Sequence, residues 1–225
     1  MRIDTPKFLH AEFFMKDEIF TPDDNLPQVV PSQVHDKNII HVRDENFTNY
    51  ILPERPKADG VLLTTAKAQA SLRFADCAPV MLWGRDWAMI LHSGYKGTVL
   101  NISGEGLKLI EDVKNTCAWI GPCIGREIYC RDIDDEWTRK GLEAFHANNY
   151  DVNDNKVYFD LAGEIKTQLL DAGLNESNIT LSGIDTFKDS RCYSYRRGDI
   201  HERMTLTVKN SWTNRPEAIS PNEPV

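Results

Sequence analysis

A chain of 225 residues, 41% of them hydrophobic, is long enough for one large domain or two small ones with a substantial core, and its composition is not that of a disordered chain. A net charge of −8 argues against a nucleic-acid surface as its main business, yet leaves room for a local basic pocket that holds a phosphate. Met1-Arg2-Ile3-Asp4-Thr5-Pro6-Lys7 lacks the apolar stretch of a secretory signal, and no apolar run approaches the ~20 residues that span a bilayer, so a cytoplasmic protein without a membrane partner is expected.

Residues 21 to 38, rich in Pro, Asp and Asn, read as loop. Ile39-Ile40-His41-Val42 is a short strand, 44 to 57 is again irregular, and Gly60-Val61-Leu62-Leu63-Thr64 is a second strand. Leu72–Phe74, Val80–Trp83 and Ala88–Leu91 follow, the last two joined by the turn Gly84-Arg85-Asp86. Val99, Ile102, Leu107, Ile110 and Val113 then fall on one helical face, although Gly104 and Gly106 each cost roughly 1 kcal/mol relative to Ala in a helix interior. Ala118-Trp119-Ile120 is a strand ending at Gly121-Pro122, and Asp134 to His146 a helix. Asp160 caps a further helix carrying Leu161, Ile165, Leu169 and Leu170, with Gly173 at its C′ position. Ile179–Leu181 and Met204–Val208 complete the strands. Strands and helices interleave without a strict βαβ period, which predicts one mixed α+β or α/β domain over 1–208 and a surface tail over 209–225.

The five cysteines, Cys77, Cys117, Cys123, Cys130 and Cys192, are odd in number and irregularly spaced, as reduced thiols are. No CxxC pair exists, which excludes a zinc ribbon or a thioredoxin-type motif. The hairpin that closes at Gly84-Arg85-Asp86 brings Cys77 and His92 to its open end. That pair reads as part of a metal site, as a thiol–imidazole dyad, or as core. The other histidines, His10, His41, His146 and His201, carry no motif.

Six motifs occur in an order that resembles the YfiH-type family, also described as laccase-domain or polyphenol-oxidase-like. They are Gln33-Val34-His35, Ala58-Asp59-Gly60-Val61, Ala75-Asp76-Cys77-Ala78-Pro79-Val80, His92-Ser93-Gly94-Tyr95-Lys96-Gly97, Gly121-Pro122-Cys123-Ile124-Gly125 and Ser194-Tyr195-Arg196-Arg197. The resemblance covers residues 29 to 208. It implies a layered α/β/β/α sandwich in a fold group shared with cysteine hydrolases. It also implies a zinc ion on His35, Cys77 and His92, and a purine nucleoside enzyme that cleaves adenosine, guanosine or methylthioadenosine with phosphate and deaminates adenosine. Other roles attached to the family are peptidoglycan editing and copper-dependent phenol oxidation.

The chain departs from the family pattern in places. The usual Trp-Arg is Tyr95-Lys96, which keeps the positive charge but loses the planar fork. The usual Tyr-Glu is Tyr129-Cys130, and the usual Cys-Thr is Asp185-Thr186.

A His2Cys set leaves the fourth position of tetrahedral zinc open, as in catalytic sites, where the ion lowers the pKa of bound water to near 7. Deamination would use that water, whereas phosphorolysis needs cations for phosphate, and Lys96, Arg196 and Arg197 are the residues to supply them. Cys77, His92 and Lys96 are thus the expected catalytic residues. The six histidines include no His-x-His cluster of the multicopper type, but one copper could occupy the same three ligands. A metal-free Cys77–His92 hydrolase and a non-catalytic binding protein on the same scaffold are the remaining alternatives.

Overall fold

The computed structural model describes residues 1–51, 53 and 55–211. The chain opens with β1 (Leu9–Phe14), β2 (Gln28–Val29), β3 (Ile39–Val42), β4 (Gly60–Leu63), β5 (Gln69–Phe74), β6 (Ala78–Trp83) and β7 (Ala88–Ser93). Two short helices, α1 (Tyr95–Val99) and α2 (Ile102–Leu107), lead to β8 (Cys117–Ile120) and β9 (Cys130–Asp132). Then come α3 (Glu136–Ala144), β10 (Tyr150–Asn153), β11 (Lys156–Phe159), α4 (Leu161–Asp171), β12 (Ile179–Leu181) and β13 (Met204–Asn210).

A six-stranded mixed sheet in the order β12-β8-β6-β7-β4-β3 packs against a four-stranded sheet in the order β1-β13-β5-β2. A three-stranded sheet, β10-β11-β9, stands beside them. Strands β4, β6 and β7 are buried along their whole length because both faces of the larger sheet are covered. Such strands read as unbroken apolar runs rather than alternating ones. Between the two sheets lie Phe13, Leu72, Phe74, Met81, Ile90 and Trp119. On the opposite face Leu62, Leu82, Met89 and Leu91 meet Ile102 of α2 and Ile165 and Leu169 of α4. Burying each such side chain contributes about 1.5–3 kcal/mol. A third cluster, around Tyr95, Phe145 and Phe159, ties α1 to the small sheet. The result is the mixed α/β single domain expected, with the β, β and one α layer formed by these contacts.

Two expectations need correction. The apolar face from Val99 to Val113 is not one helix. Asn101 adopts left-handed backbone (φ 55°, ψ 50°) and its side chain accepts from the Gly104 N–H, ending α1 and capping α2. The break falls at the asparagine, and both glycines lie inside α2, where Gly106 allows close approach to the Met89 sulfur. The domain also runs past the expected boundary at 208. β13 runs on through Lys209, opposite Gln69, and Asn210, opposite Leu9, so both belong to the four-stranded sheet. The rest of the expected tail, 212–225, lies outside the described residues.

Candidate metal centre and cleft

The β6–β7 hairpin sets the register of the site. Ala78 faces Ser93 and Pro79 faces His92, so Cys77, one residue before β6, stands beside the end of β7. The loop between β2 and β3 supplies His35. The ligand atoms of His35, Cys77 and His92 all lie within 4.8 Å of one another. The two imidazoles meet edge to face with ring centroids 4.9 Å apart. Two nitrogens and one sulfur at this mutual distance suit a tetrahedral zinc ion with one coordination position left for another ligand, and a copper ion could take the same donors.

One buried carboxylate organises the group. Asp59, fully buried at the start of β4, accepts from the backbone N–H of Val34 at 3.0 Å, of His35 at 3.0 Å and of Asp36 at 2.9 Å. These bonds stabilise the left-handed backbone of His35 (φ 60°), a conformation that costs a non-glycine residue free energy. The same carboxylate pairs with His92 Nδ1 at 2.8 Å, leaving Nε2 for the cluster. Carboxylate–histidine pairs of this kind fix the tautomer of a metal-binding imidazole. Gly94 completes the cradle: a Cβ there would lie 2.7 Å from Cys77 Sγ and 3.4 Å from the His35 ring.

The charges favour a thiolate. Burial pushes the Cys77 thiol up, but the His92 charge and hydrogen bonds from His35 and His92 outweigh it and bring the group down to about 6. Burial likewise disfavours charged His92, yet the neighbouring Cys77 and the bond to Asp59 raise it to about 9. Cys123, buried without such partners, is pushed up to about 12.

Asp76, next to Cys77, holds three segments together from left-handed backbone (φ 74°). Its carboxylate accepts from Thr186 Oγ1 at 2.6 Å and from the Arg196 N–H at 2.7 Å, and its carbonyl accepts from Ile124 N–H at 3.0 Å. These bonds draw the loops around Ile124, Thr186 and Arg196 over the cluster.

His35, Cys77 and His92 line a cleft of about 980 Å³. It is markedly basic for an acidic protein: Arg55, Arg73, Lys96, Arg131, Arg196 and Arg203 all border it, and among the described residues the one carboxylate that lines it is the occupied Asp76. Tyr95, Tyr129 and Tyr195 give it aromatic walls, Tyr195 being 59% exposed. Lys96 is exposed, with Nζ 4.7 Å from the centre of the Trp137 ring, and its ammonium has no carboxylate partner among the described residues. The Arg196 guanidinium lies 5.4 Å from the Tyr129 ring centre and reaches the carbonyls of Ile128 and Cys130 at 3.4 Å each.

Arg197, expected beside Arg196 as a phosphate ligand, is placed differently. It is not among the residues lining the cleft. Its guanidinium donates to the carbonyls of Phe187 at 2.9 Å, Thr186 at 3.1 Å and Cys192, and pairs with Asp199 at 3.1 Å. Neighbours in sequence point apart, so Arg197 braces the loop that presents Arg196.

Sequence reasoning named no role for Asp59, although its motif contained it, and named none for Arg73 or Arg131. A charged residue opening an apolar strand was the available signal for Asp59. Nothing local marks the two arginines, which the fold alone brings to the cleft.

The family model described as multi-copper polyphenol oxidoreductase laccase matches residues 15–208, and the chain belongs to that family. It is 29% identical over 192 residues to a purine nucleoside phosphorylase of Rickettsia prowazekii, covering 80% of this chain and 75% of the relative. It is 25% identical over 181 residues to a purine nucleoside phosphorylase of Aquifex aeolicus, covering 80% and 81%. Among solved structures, YlmD from Geobacillus stearothermophilus superposes with a TM-score of 0.72 at 23% identity, over 82% of this chain and 73% of that one. The hypothetical protein YfiH of Bacillus licheniformis superposes with a TM-score of 0.70 at 25% identity, over 81% and 74%. The relatives support a nucleoside-processing enzyme at family level. No helix among the described residues is long and apolar enough to cross a membrane.

Proposed function

We propose that the chain is a metal-dependent purine nucleoside phosphorylase whose ion, zinc in preference to copper, is held by His35, Cys77 and His92. The observation that carries the reading is the three-ligand cluster set among the basic walls of one cleft. A zinc ion bound there would act as a Lewis acid toward a water or substrate oxygen.

The remaining work falls to the chain itself. Lys96 and Arg196 hold the phosphate dianion with charge-assisted hydrogen bonds. Tyr129 and Tyr195 border the cleft where a flat base would rest. Asp59 keeps the proton of His92 on Nδ1, so that the imidazole stays oriented. In phosphorolysis a phosphate oxygen forms the new bond to the sugar C1′ as the bond from C1′ to the base breaks. The base nitrogen leaves with the electron pair and takes a proton. Adenosine deamination at the same centre is the second activity, read out as ammonia and inosine.

The test is turnover of adenosine by the purified protein. Adenine and ribose 1-phosphate released only when phosphate is present support the reading, and no release of base under any condition contradicts it. The lowered Cys77 thiol favours one other reading, a metal-free thiol hydrolase. Activity that survives removal of all metal would select it.

A further inference from the structure

A neutral nucleoside and one phosphate leave part of this cleft unexplained. In the proposed phosphorolysis Lys96 and Arg196 account for the inorganic phosphate, and the role inferred for Arg73 rests on that assignment. Arg73 itself has no task in the reaction. It is exposed on β5, borders the cleft, and its guanidinium has no carboxylate or carbonyl partner among the described residues. The other bordering arginines differ. Arg55 donates to the carbonyls of Val30 and Pro31, Arg131 pairs with Asp135 at 2.7 Å, and Arg203 donates to the Ile200 carbonyl.

The backbone of Arg73 is fixed against the metal site. Gln33 Nε2 donates to the Arg73 carbonyl at 2.8 Å, and the Arg73 N–H donates to Gln33 Oε1 at 2.9 Å. This reciprocal pair ties β5 to the loop that carries His35 two residues later. The next residue, Phe74, packs its ring on His92 with centroids 5.5 Å apart. The strand is pinned, and a planar guanidinium without a partner of its own is open to bidentate binding of an oxyanion.

We propose that the cleft takes a purine nucleoside 5′-monophosphate, with Arg73 receiving the phosphomonoester. The ligand then brings an anion beyond the inorganic phosphate at Lys96 and Arg196, matching the excess of cations along the walls. An arginine–phosphate contact of this kind is worth about tenfold to a hundredfold in affinity.

The experiment is calorimetric titration of the zinc-loaded full chain with AMP, adenosine and inorganic phosphate, on the natural protein and on Arg73→Ala and Arg73→Lys. AMP should bind at least tenfold more tightly than adenosine. Arg73→Ala should remove that advantage while leaving adenosine affinity and zinc content unchanged, and Arg73→Lys should restore part of it. AMP binding no tighter than adenosine, or an equal loss of both ligands in Arg73→Ala, overturns the assignment. Adenosine turnover is followed in parallel: turnover without an AMP advantage sinks the phosphomonoester site alone. An AMP advantage without turnover sinks the phosphorylase reading alone.

Discussion

Asp59 and His92 form the pair on which the site is built. A buried carboxylate 2.8 Å from Nδ1 orients the imidazole, while the same carboxylate accepts three backbone N–H groups from the segment that carries His35. Two of the three residues of the cluster are therefore set by one side chain. Asp59→Asn keeps the shape but weakens the acceptors, and zinc affinity should fall about 10–100-fold, as measured by competition with a chromophoric chelator. Asp59→Ala leaves several buried donors unpaired and should cost about 3–5 kcal/mol in urea unfolding. Unchanged zinc affinity in Asp59→Asn would show that His92 needs no such support.

Gly94 supplies a sharper probe, because its backbone (φ −73°, ψ 178°) is open to any residue. A methyl group there meets Cys77 Sγ at 2.7 Å, so the strain falls on the ligand and not on the chain. Gly94→Ala should lose zinc affinity by at least tenfold while its melting temperature in the metal-free state moves by no more than a few degrees. Equal zinc affinity would place the sulfur away from the ion.

Thiol reactivity should follow the charges. In metal-free protein the Cys77 thiolate forms as the pH rises through about 6, whereas Cys192, raised by burial to about 11, and Cys123, raised to about 12, stay protonated at neutral pH. Iodoacetamide at pH 7 should therefore label Cys77 well before Cys123 and Cys192, with the Cys77 rate falling as the pH drops below 6. Zinc should protect Cys77. Peptide mapping by mass spectrometry reads the order, and early labelling of Cys123 would contradict it.

The adjacent arginines should separate cleanly. Arg196→Ala should raise KM for phosphate while stability changes little. Arg197→Ala removes the brace across the Thr186–Cys192 loop and should cost about 1–3 kcal/mol in thermal unfolding. Its effect on KM in the surviving folded protein should be the smaller of the two. The reverse pattern would return Arg197 to the phosphate site.

Tyr95 shows how the departure from Trp-Arg is absorbed. Its ring packs on Phe159 with centroids 4.9 Å apart, and its hydroxyl donates to the Trp137 carbonyl at 2.9 Å. That hydroxyl fits because residue 141 has no side chain: a Cβ on Gly141 would strike it. Gly141→Ala should destabilise the fold by about 1–3 kcal/mol through overpacking. Combining it with Tyr95→Phe should relieve part of the loss. Additive losses in the double variant would exclude the contact.

Much of the fold and the grouping of His35, Cys77 and His92 was legible in the chain. The apolar runs of β4, β6 and β7 are strands buried on both faces, and the turn at Gly84-Arg85-Asp86 sets the register that joins Cys77 to His92. Asp160 and Gly173 (φ 102°) terminate α4 at either end as their residue types require. The break at Asn101 was not legible, because a left-handed asparagine is decided by packing around it and the apolar spacing runs on across it. Nor were the cleft walls, since Arg73, Arg131 and Arg203 come from segments far apart in the chain that only the fold brings to one cleft. Adjacent Arg196 and Arg197 carry the same charge in sequence, and only their hydrogen-bond partners tell them apart.

The proposed reaction requires a metal ion on His35, Cys77 and His92. The direct measurement is elemental analysis joined to adenosine turnover with phosphate, on purified, chelated and zinc-restored protein. One zinc ion per chain, loss of base release on chelation and its return with zinc are the expected results, with Cys77→Ala inactive throughout. Chelated protein free of metal that retains full turnover, or Cys77→Ala that turns over adenosine like the natural chain, would contradict it.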